Sequence, residues 1–220
     1  MKIAIVGGTG DCGRGFIHRW AEGHEMIVGS RKAEKAEEVA RNAKQYLQSH
    51  GIEASIKGTD NRSAVEESDM AVLTLPFQFV ESTLLEIAEC FSDQVVVSPL
   101  VPMSRKGKHF VFAPPAQGSA ALLVQELLPA SARIVASFHT ISHKAFEETD
   151  RVLNGDVIIC GDDKEAKEMV AGLVKMVKNL RPLDGGPLEV ASQLEALTPM
   201  LLNLSRLNKV RNAGIEIVEC

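Results

Sequence analysis

The chain has 220 residues, 45% hydrophobic and 24% charged, a composition typical of a globular protein with one large domain or slightly more. Its net charge of −5 argues against a nucleic-acid partner, and no apolar run approaches the roughly 20 residues that cross a membrane. The four cysteines are scattered and form no C-x-x-C pair, so we expect neither a metal site nor a disulfide framework. Together with an apolar segment at the start of the chain, this pattern predicts a cytoplasmic protein without a signal peptide.

The first predicted element is a short apolar strand over residues 2–6, followed at once by a glycine-rich turn. The turn contains the pattern G-x-G-x-x-G at Gly8, Gly10 and Gly13, and a helix is predicted over residues 13–21. In a dinucleotide-binding unit the first glycine allows the tight turn, the second lets the pyrophosphate approach, and the third lets the helix pack on the strand. The strand, turn and helix therefore predict a dinucleotide site. The alternative is a glycine turn with no ligand.

The second apolar strand, residues 26–29, ends in Ser30, Arg31 and Lys32. NAD-binding units usually place a carboxylate here to hold the ribose 2′-hydroxyl, and this chain has none. A hydroxyl and two cations, with Lys35 one turn further on, suit a 2′-phosphate, because arginine offers a fork of donors to phosphate oxygens. The segment predicts NADP rather than NAD, unless both cations are merely solvated.

Strands and helices then alternate, which is typical of a parallel sheet covered on both faces. Helices are predicted at 33–49, from Asp60 or Asn61 to 67, at 81–90 and from Ser119 to 128; strands at 52–57, 70–75, 94–98 and 133–138; and a long loop at 101–117. We predict an α/β fold: a doubly wound parallel-sheet Rossmann domain over residues 1–140 and a smaller C-terminal α/β domain over 141–220. The second domain is predicted to contain a strand at 156–161, a helix at 164–178, a turn-rich connector at 181–187 and an apolar helix at 191–208. That last helix requires burial under the sheet or against a second subunit.

The strand ends carry little acid–base chemistry. His139 is the one titratable side chain well placed at such an end, and it is either a hydrogen-bonded core residue or a ligand contact. No catalytic triad, carboxylate pair or metal-ligand spacing stands out. Hydride transfer between two organic cofactors needs mainly correct positioning of the two rings, which is consistent with such a site.

Several segments resemble a known family, the archaeal and actinobacterial NADPH-dependent oxidoreductases of the deazaflavin coenzyme F420. The resemblance is carried by residues 7–10, 28–31, 34–36, 71–74 and 95–102, and further on by 139–141, 160–163, 180–184 and 197–199. It implies a homodimer that transfers hydride reversibly between nicotinamide C4 and deazaflavin C5. Asp11, Cys12, Phe77, Ser142 and His143 depart from the family pattern.

The resemblance also implies the contacts of both cofactors. Thr9, Gly10, Asp11 and Cys12 would bind the pyrophosphate of NADP, and Ser30, Arg31 and Lys35 its 2′-phosphate. Leu75, Pro76, Leu100 and Val101 would line the nicotinamide end. Coenzyme F420 would lie near Ser137, His139, Ile141 and Ala213, between the two domains.

Two other functions remain compatible with the sequence. The first is an NADPH-dependent reductase of another acceptor, such as a flavin, a metal chelate or a small imine or ketone. The second is a non-catalytic NADP-binding protein that acts as a sensor or scaffold. Turnover with a flavin but not with the deazaflavin would favour the former, and NADPH binding without any hydride acceptor the latter.

Overall fold

The computed structural model describes residues 1–219, which form a mostly parallel sheet with helices on both faces. The strands are β1 (Lys2–Val6), β2 (Glu25–Ser30), β3 (Ile56–Asp60), β4 (Met70–Leu73), β5 (Val95–Ser98), β6 (Met103–Lys106), β7 (His109–Phe112), β8 (Arg133–Ser137), β9 (Gly155–Gly161) and β10 (Leu180–Gly186). The helices are α1 (Asp11–Trp20), α2 (Ala33–Ser49), α3 (Asn61–Glu66), α4 (Val80–Ile87), α5 (Ala120–Leu127), α6 (His143–Glu147), α7 (Lys164–Lys175) and α8 (Ala191–Asn208). Single 3₁₀ turns lie at Phe77–Phe79, Ala88–Cys90 and Leu188–Val190. None of these helices is long and apolar enough to span a membrane.

Eight strands of the described chain form one sheet in the order β10-β9-β8-β5-β4-β1-β2-β3. Alternate residues of its central strands enter two separate cores, as expected for parallel strands that are covered on both faces. In β1, Ile3 and Ile5 pack into one core while Ala4 and Val6 pack into the other. This arrangement confirms the predicted α/β fold with a doubly wound sheet.

The C-terminal part of the chain extends the same sheet. Strand β9 pairs antiparallel with β8, and β10 pairs parallel with β9. The predicted boundary at residue 140 therefore does not coincide with a break in the sheet. The predicted connector at 181–187 is wrong, because it is the strand β10. Pro182 and Gly185, which indicated a turn, are tolerated because β10 is an edge strand.

The predicted loop at 101–117 contains an antiparallel hairpin, formed by β6 and β7. Its turn includes Gly107, whose φ of +58° suits glycine. The hairpin is attached to α8 by one side chain: Asn203 accepts from the Phe110 amide at 2.9 Å and donates to the Phe110 carbonyl at 2.7 Å. The sequence did not reveal the contact between Phe110 and Asn203, because the two residues are 93 positions apart in the chain.

The predicted apolar helix at 191–208 is confirmed as α8, but its two halves differ in burial. Ala191 and Leu194 are buried in the core on one face of the sheet. Leu204 and Leu207, in the second half, are 42% and 63% exposed. Only the first half therefore lies under the sheet as expected.

Candidate active site

The glycine-rich turn after β1 has the geometry of a phosphate-binding turn. A Cβ atom on Gly13 would lie 2.6 Å from the Gly8 carbonyl oxygen, so only glycine lets α1 approach the turn this closely. At Gly10, by contrast, a Cβ atom would meet nothing within 4 Å, because this position faces open space. The left-handed residue of the turn is Gly7, with a φ of +72°, and not Gly8. Gly8 is required for another reason: its Cβ atom would lie 2.8 Å from the Ile5 carbonyl oxygen.

The turn is held from behind and leaves its front amides free. The Gly8 amide donates to the Gly29 carbonyl at 2.9 Å, and the Gly7 amide donates to Asn61 Oδ1 at 3.2 Å. Within residues 1–219, the amides of Thr9, Gly10, Asp11 and Cys12 have no hydrogen-bond acceptor. Free amides at a helix N-terminus form an anion-binding arrangement.

Asn61 is a supporting residue whose role the sequence did not reveal. Asp60 and Asn61 were alternative candidates for the cap of α3, and the cap is Asp60, which accepts from the Ser63 amide at 3.0 Å. Asn61 is thereby free to hold the turn, and it is only 5% exposed. The sequence offered one signal for this role: Asn61 is a polar residue that follows the helix cap, at the end of a strand that neighbours β2.

Three cations gather at the carboxyl end of β2. Arg31, Lys32 and Lys35 all line the same cleft as the glycine turn, and none of them forms a salt bridge within the described residues. The Arg31 guanidinium lies 5.5 Å from the ring centroid of Phe79, which orients it by a cation–π contact. Ser30 is 8% exposed, and its hydroxyl accepts from the Lys32 amide at 3.3 Å. The cluster is an uncompensated positive patch suited to a phosphate.

One continuous cleft joins the turn and the cation cluster to the ends of β4, β5 and β8. Its volume of about 1240 Å³ exceeds the range of roughly 300–1,000 Å³ that is usual for one drug-sized ligand. The residues along its inner end are Leu75, Pro76, Phe77, Leu100, Val101, His139, Ile141 and Thr198. The cleft therefore has a cationic outer end and a mainly apolar inner end, at the carboxyl edge where parallel sheets bind ligands.

His139 is the titratable group at the inner end of the cleft, and it is 4% exposed. Its Nε2 donates to the Leu100 carbonyl at 3.1 Å, while Nδ1 is buried without a partner in the described structure. Burial lowers the pKa of His139 to about 4, and the bond to Leu100 only partly opposes this shift. The ring is therefore neutral near pH 7 and presents an acceptor rather than an acid. The Thr198 hydroxyl fixes the segment by donating to the His139 carbonyl at 2.8 Å.

Three other candidate residues have environments that limit their chemistry. Burial, with a smaller contribution from Asp11, raises the pKa of Cys12 to about 12, so its thiol is unreactive. Ser137 is fully buried and its hydroxyl donates to the Ile158 carbonyl at 3.2 Å. Ala213 is half-buried, and neither Ser137 nor Ala213 lines the cleft. Within residues 1–219, no group of three or more potential ligands is placed to hold a metal ion.

Comparison with known proteins identifies the family. A family model described as NADP oxidoreductase coenzyme F420-dependent matches residues 2–102. The F420-dependent NADP reductase of Methanocaldococcus jannaschii is 40% identical over 99% of this chain and 98% of its own length. This chain belongs to the F420-dependent NADP reductase family. A second member, from Methanothermobacter thermautotrophicus, is 36% identical over 99% of this chain and 94% of its own length.

A solved structure supports the fold across the family. The putative F420-dependent NADP reductase of Arthrobacter sp. FB24 superposes with a TM-score of 0.83, at 23% identity and with complete coverage of both chains. A metalloreductase of Rattus norvegicus is 26% identical over 91% of this chain, but the match covers only 37% of its own length. The F420-dependent reductases thus match from end to end, and the metalloreductase only in part.

Proposed function

We propose that this chain is an NADP-dependent oxidoreductase that transfers hydride reversibly between NADP(H) and coenzyme F420. The observation that carries the proposal is the joint presence, in one cleft, of free turn amides and an unpaired cation cluster. Family membership, at 35–40% identity to three such reductases, supplies the acceptor. The cofactors together supply the carbon atoms that exchange hydride, so the chain's task is binding and orientation.

The outer end of the cleft fits NADP. The open space at Gly10 is where backbone must approach a pyrophosphate, and we assign the amides of residues 9–12 to it. Ser30, Arg31 and Lys35 are assigned to the 2′-phosphate. The absence of a carboxylate at the end of β2 supports NADP, because a carboxylate there would repel that phosphate.

The inner end of the cleft fits two stacked rings. We assign Leu75, Pro76, Leu100 and Val101 to the nicotinamide end, where apolar surface excludes water from the reacting carbons. Ile141 and the unpartnered Nδ1 of His139 are assigned to the deazaflavin. Ser137 and Ala213 do not line the cleft, so we leave them out of the direct contacts.

The test is to mix the purified protein with NADPH and oxidised coenzyme F420 and follow the visible absorbance of the deazaflavin. We expect rapid bleaching with NADPH and much slower bleaching with NADH. No bleaching, with NADPH binding shown separately, would contradict the F420 assignment, and the same assay with a flavin, a metal chelate or an imine would then identify another acceptor. NADPH binding without turnover of any acceptor would indicate the non-catalytic alternative.

Replacing Arg31 with alanine tests the assignment of the 2′-phosphate. We expect kcat/KM to fall for both cofactors, and more for NADPH than for NADH. Expressed as a transition-state free energy, the difference between the two losses should be about 1–3 kcal/mol, the usual range for a charged hydrogen bond. Arg41 provides a matched control, because its side chain is 66% exposed and does not line the cleft. Equal losses with the two cofactors in Arg31→Ala would overturn the assignment.

We further propose that the protein is a homodimer whose contact includes the second half of α8. Met200, Leu204 and Leu207 are exposed there and border an apolar groove of about 370 Å³ against Phe110 and Phe112 of β7. A contiguous apolar patch of this kind is typical of a protein interface.

Cys12, Cys90 and Cys160 are free thiols, which supports a reducing compartment, and we propose the cytoplasm.

The dimer proposal predicts that Leu207→Glu separates the subunits, because it places a charge in the contact. Leu85→Glu is the matched control: Leu85 is 62% exposed, as Leu207 is 63% exposed, but it lies on α4 outside the groove. Sedimentation at micromolar concentration should give a dimer for wild type and Leu85→Glu, and a monomer for Leu207→Glu. A monomeric wild-type protein would refute the proposal.

A further inference from the structure

The phosphate turn carries a negative charge where a negatively charged ligand is expected to bind. Asp11 lies in the first turn of α1 and lines the cleft, and its side chain is 56% exposed. The amides assigned to the pyrophosphate belong to Asp11 and its immediate neighbours. An uncompensated carboxylate at this place would repel the pyrophosphate, because like charges at short range in a partly solvated site repel each other. A cation paired with Asp11 would weaken this repulsion.

Arg14 is the cation that pairs with Asp11. Its Nη2 lies 2.5 Å from Asp11 Oδ1, and its Nε donates to Glu147 Oε1 at 2.6 Å. These two carboxylate partners leave the Arg14 side chain little freedom. Glu147 is the last residue of α6.

Glu147 is itself held in place by the packing of α6 on α1. A Cβ atom on Gly15 would lie 2.9 Å from the Phe146 ring, so the two helices are in close contact at that glycine. Arg19 of α1 donates to the carbonyl of Phe146, within α6, at 2.9 Å. It also donates to the carbonyl of Thr149, just beyond the helix, at 3.0 Å. The same α6 begins at His143, which also lines the cleft.

We propose that Arg14 is a positioning residue for NADP: it pairs with the Asp11 carboxylate beside the pyrophosphate and weakens its repulsion, and Glu147 holds Arg14 in that orientation. This inference rests on the proposed function, because it requires that the turn bind a dinucleotide. The Asp11–Arg14 pair is half-exposed, so its contribution to folding stability is small. Its contribution is to cofactor affinity, which separates this role from a structural one.

The test is a double-mutant cycle on Asp11 and Arg14, with NADPH affinity measured by fluorescence titration and with KM and kcat measured in turnover. Arg14→Gln should weaken NADPH binding about tenfold with little change in kcat, because it exposes the pyrophosphate to the Asp11 carboxylate. Asp11→Asn should bind NADPH at least as tightly as wild type. In the Asp11→Asn background, Arg14→Gln should have almost no further effect.

The outcomes distinguish the inference from the function on which it rests. A tenfold loss that persists in the Asp11→Asn background would mean that Arg14 contacts the phosphate directly and would overturn the proposal. Unchanged affinity in Arg14→Gln alone would also overturn it, as would a loss explained by unfolding in a parallel thermal melt. If the wild-type protein fails to bind NADPH at all, the proposed function itself fails.

Discussion

Gly10→Val is expected to abolish NADPH binding while the protein remains folded. The Cβ position of Gly10 faces open space, with no neighbouring heavy atom of the protein within 4 Å of an added Cβ atom. Its backbone has a φ of −92° and a ψ of 173°, an extended conformation that valine adopts readily. The added side chain would instead fill the space that the pyrophosphate must enter. We expect a loss of at least about a hundredfold in affinity, from blocked contacts with several amides.

The matched control for this substitution is Gly172→Val. Gly172, on α7, also has no atom within 4 Å of its Cβ position, and it does not line the cleft. Both variants should unfold close to the wild-type temperature, with a small loss in Gly10→Val because valine is a poorer N-cap than glycine. Fluorescence titration with NADPH should then show wild-type affinity for Gly172→Val and no binding for Gly10→Val. Retained affinity in Gly10→Val would mean that the pyrophosphate lies elsewhere.

The second large effect concerns stability against pH and involves Glu195, a buried carboxyl on α8. Glu195 is fully buried and accepts from the Ala120 and Ala121 amides, at 2.9 and 3.0 Å, where α5 begins. Burial raises its pKa from the ordinary 4.5 to about 7, although the two amides oppose that shift. Between these pH values the folded protein holds a proton that the unfolded chain has lost. The stabilisation that the raised pKa of Glu195 provides is therefore complete below about pH 4.5, and it is lost as the pH rises to about 7.

His139 contributes with the opposite sign over nearly the same interval. Its pKa falls from 6.5 to about 4 on folding, so its contribution is present above about pH 6.5 and is lost as the pH falls to about 4. The two effects nearly cancel in the wild-type protein. Glu195→Gln removes one of them, and the variant should lose stability on acidification from pH 7 to 4.5 by roughly 3 kcal/mol more than wild type.

Urea unfolding between pH 4.5 and 8 measures this difference, because other titrating groups contribute equally to both proteins. His139→Gln is the reciprocal variant, and acidification should stabilise it relative to wild type by a similar amount. Identical pH profiles for the wild type and Glu195→Gln would show that the Glu195 carboxyl has an ordinary pKa in the folded protein.

The sequence was sufficient for the parts of the site that depend on neighbours along the chain. The glycine spacing, and the cations that follow β2, are local patterns with a direct physical meaning, and the structure brings both to one cleft. The features that the sequence did not reveal depend on contacts between residues far apart in the chain. Asn61 supports the turn from another strand's end, and Glu147 reaches Arg14 across 133 positions of sequence. Strand β10 was concealed by proline and glycine, whose acceptability depends on its place at the edge of the sheet.

The reversed direction of β9 has a consequence for how the two ends of the cleft can change. Because β9 runs antiparallel to β8, the chain between them leaves and re-enters the sheet on one edge. Residues 138–154 thus form a single excursion over the inner end of the cleft, anchored by a strand at each side. The parallel strands that build the nucleotide turn lie outside it. The excursion nevertheless touches both halves of the site, because His139 and Ile141 line the cleft and Glu147 binds Arg14 next to the nucleotide turn. Replacing this segment should therefore alter acceptor preference and NADP affinity together, so the two specificities are coupled through one stretch of chain.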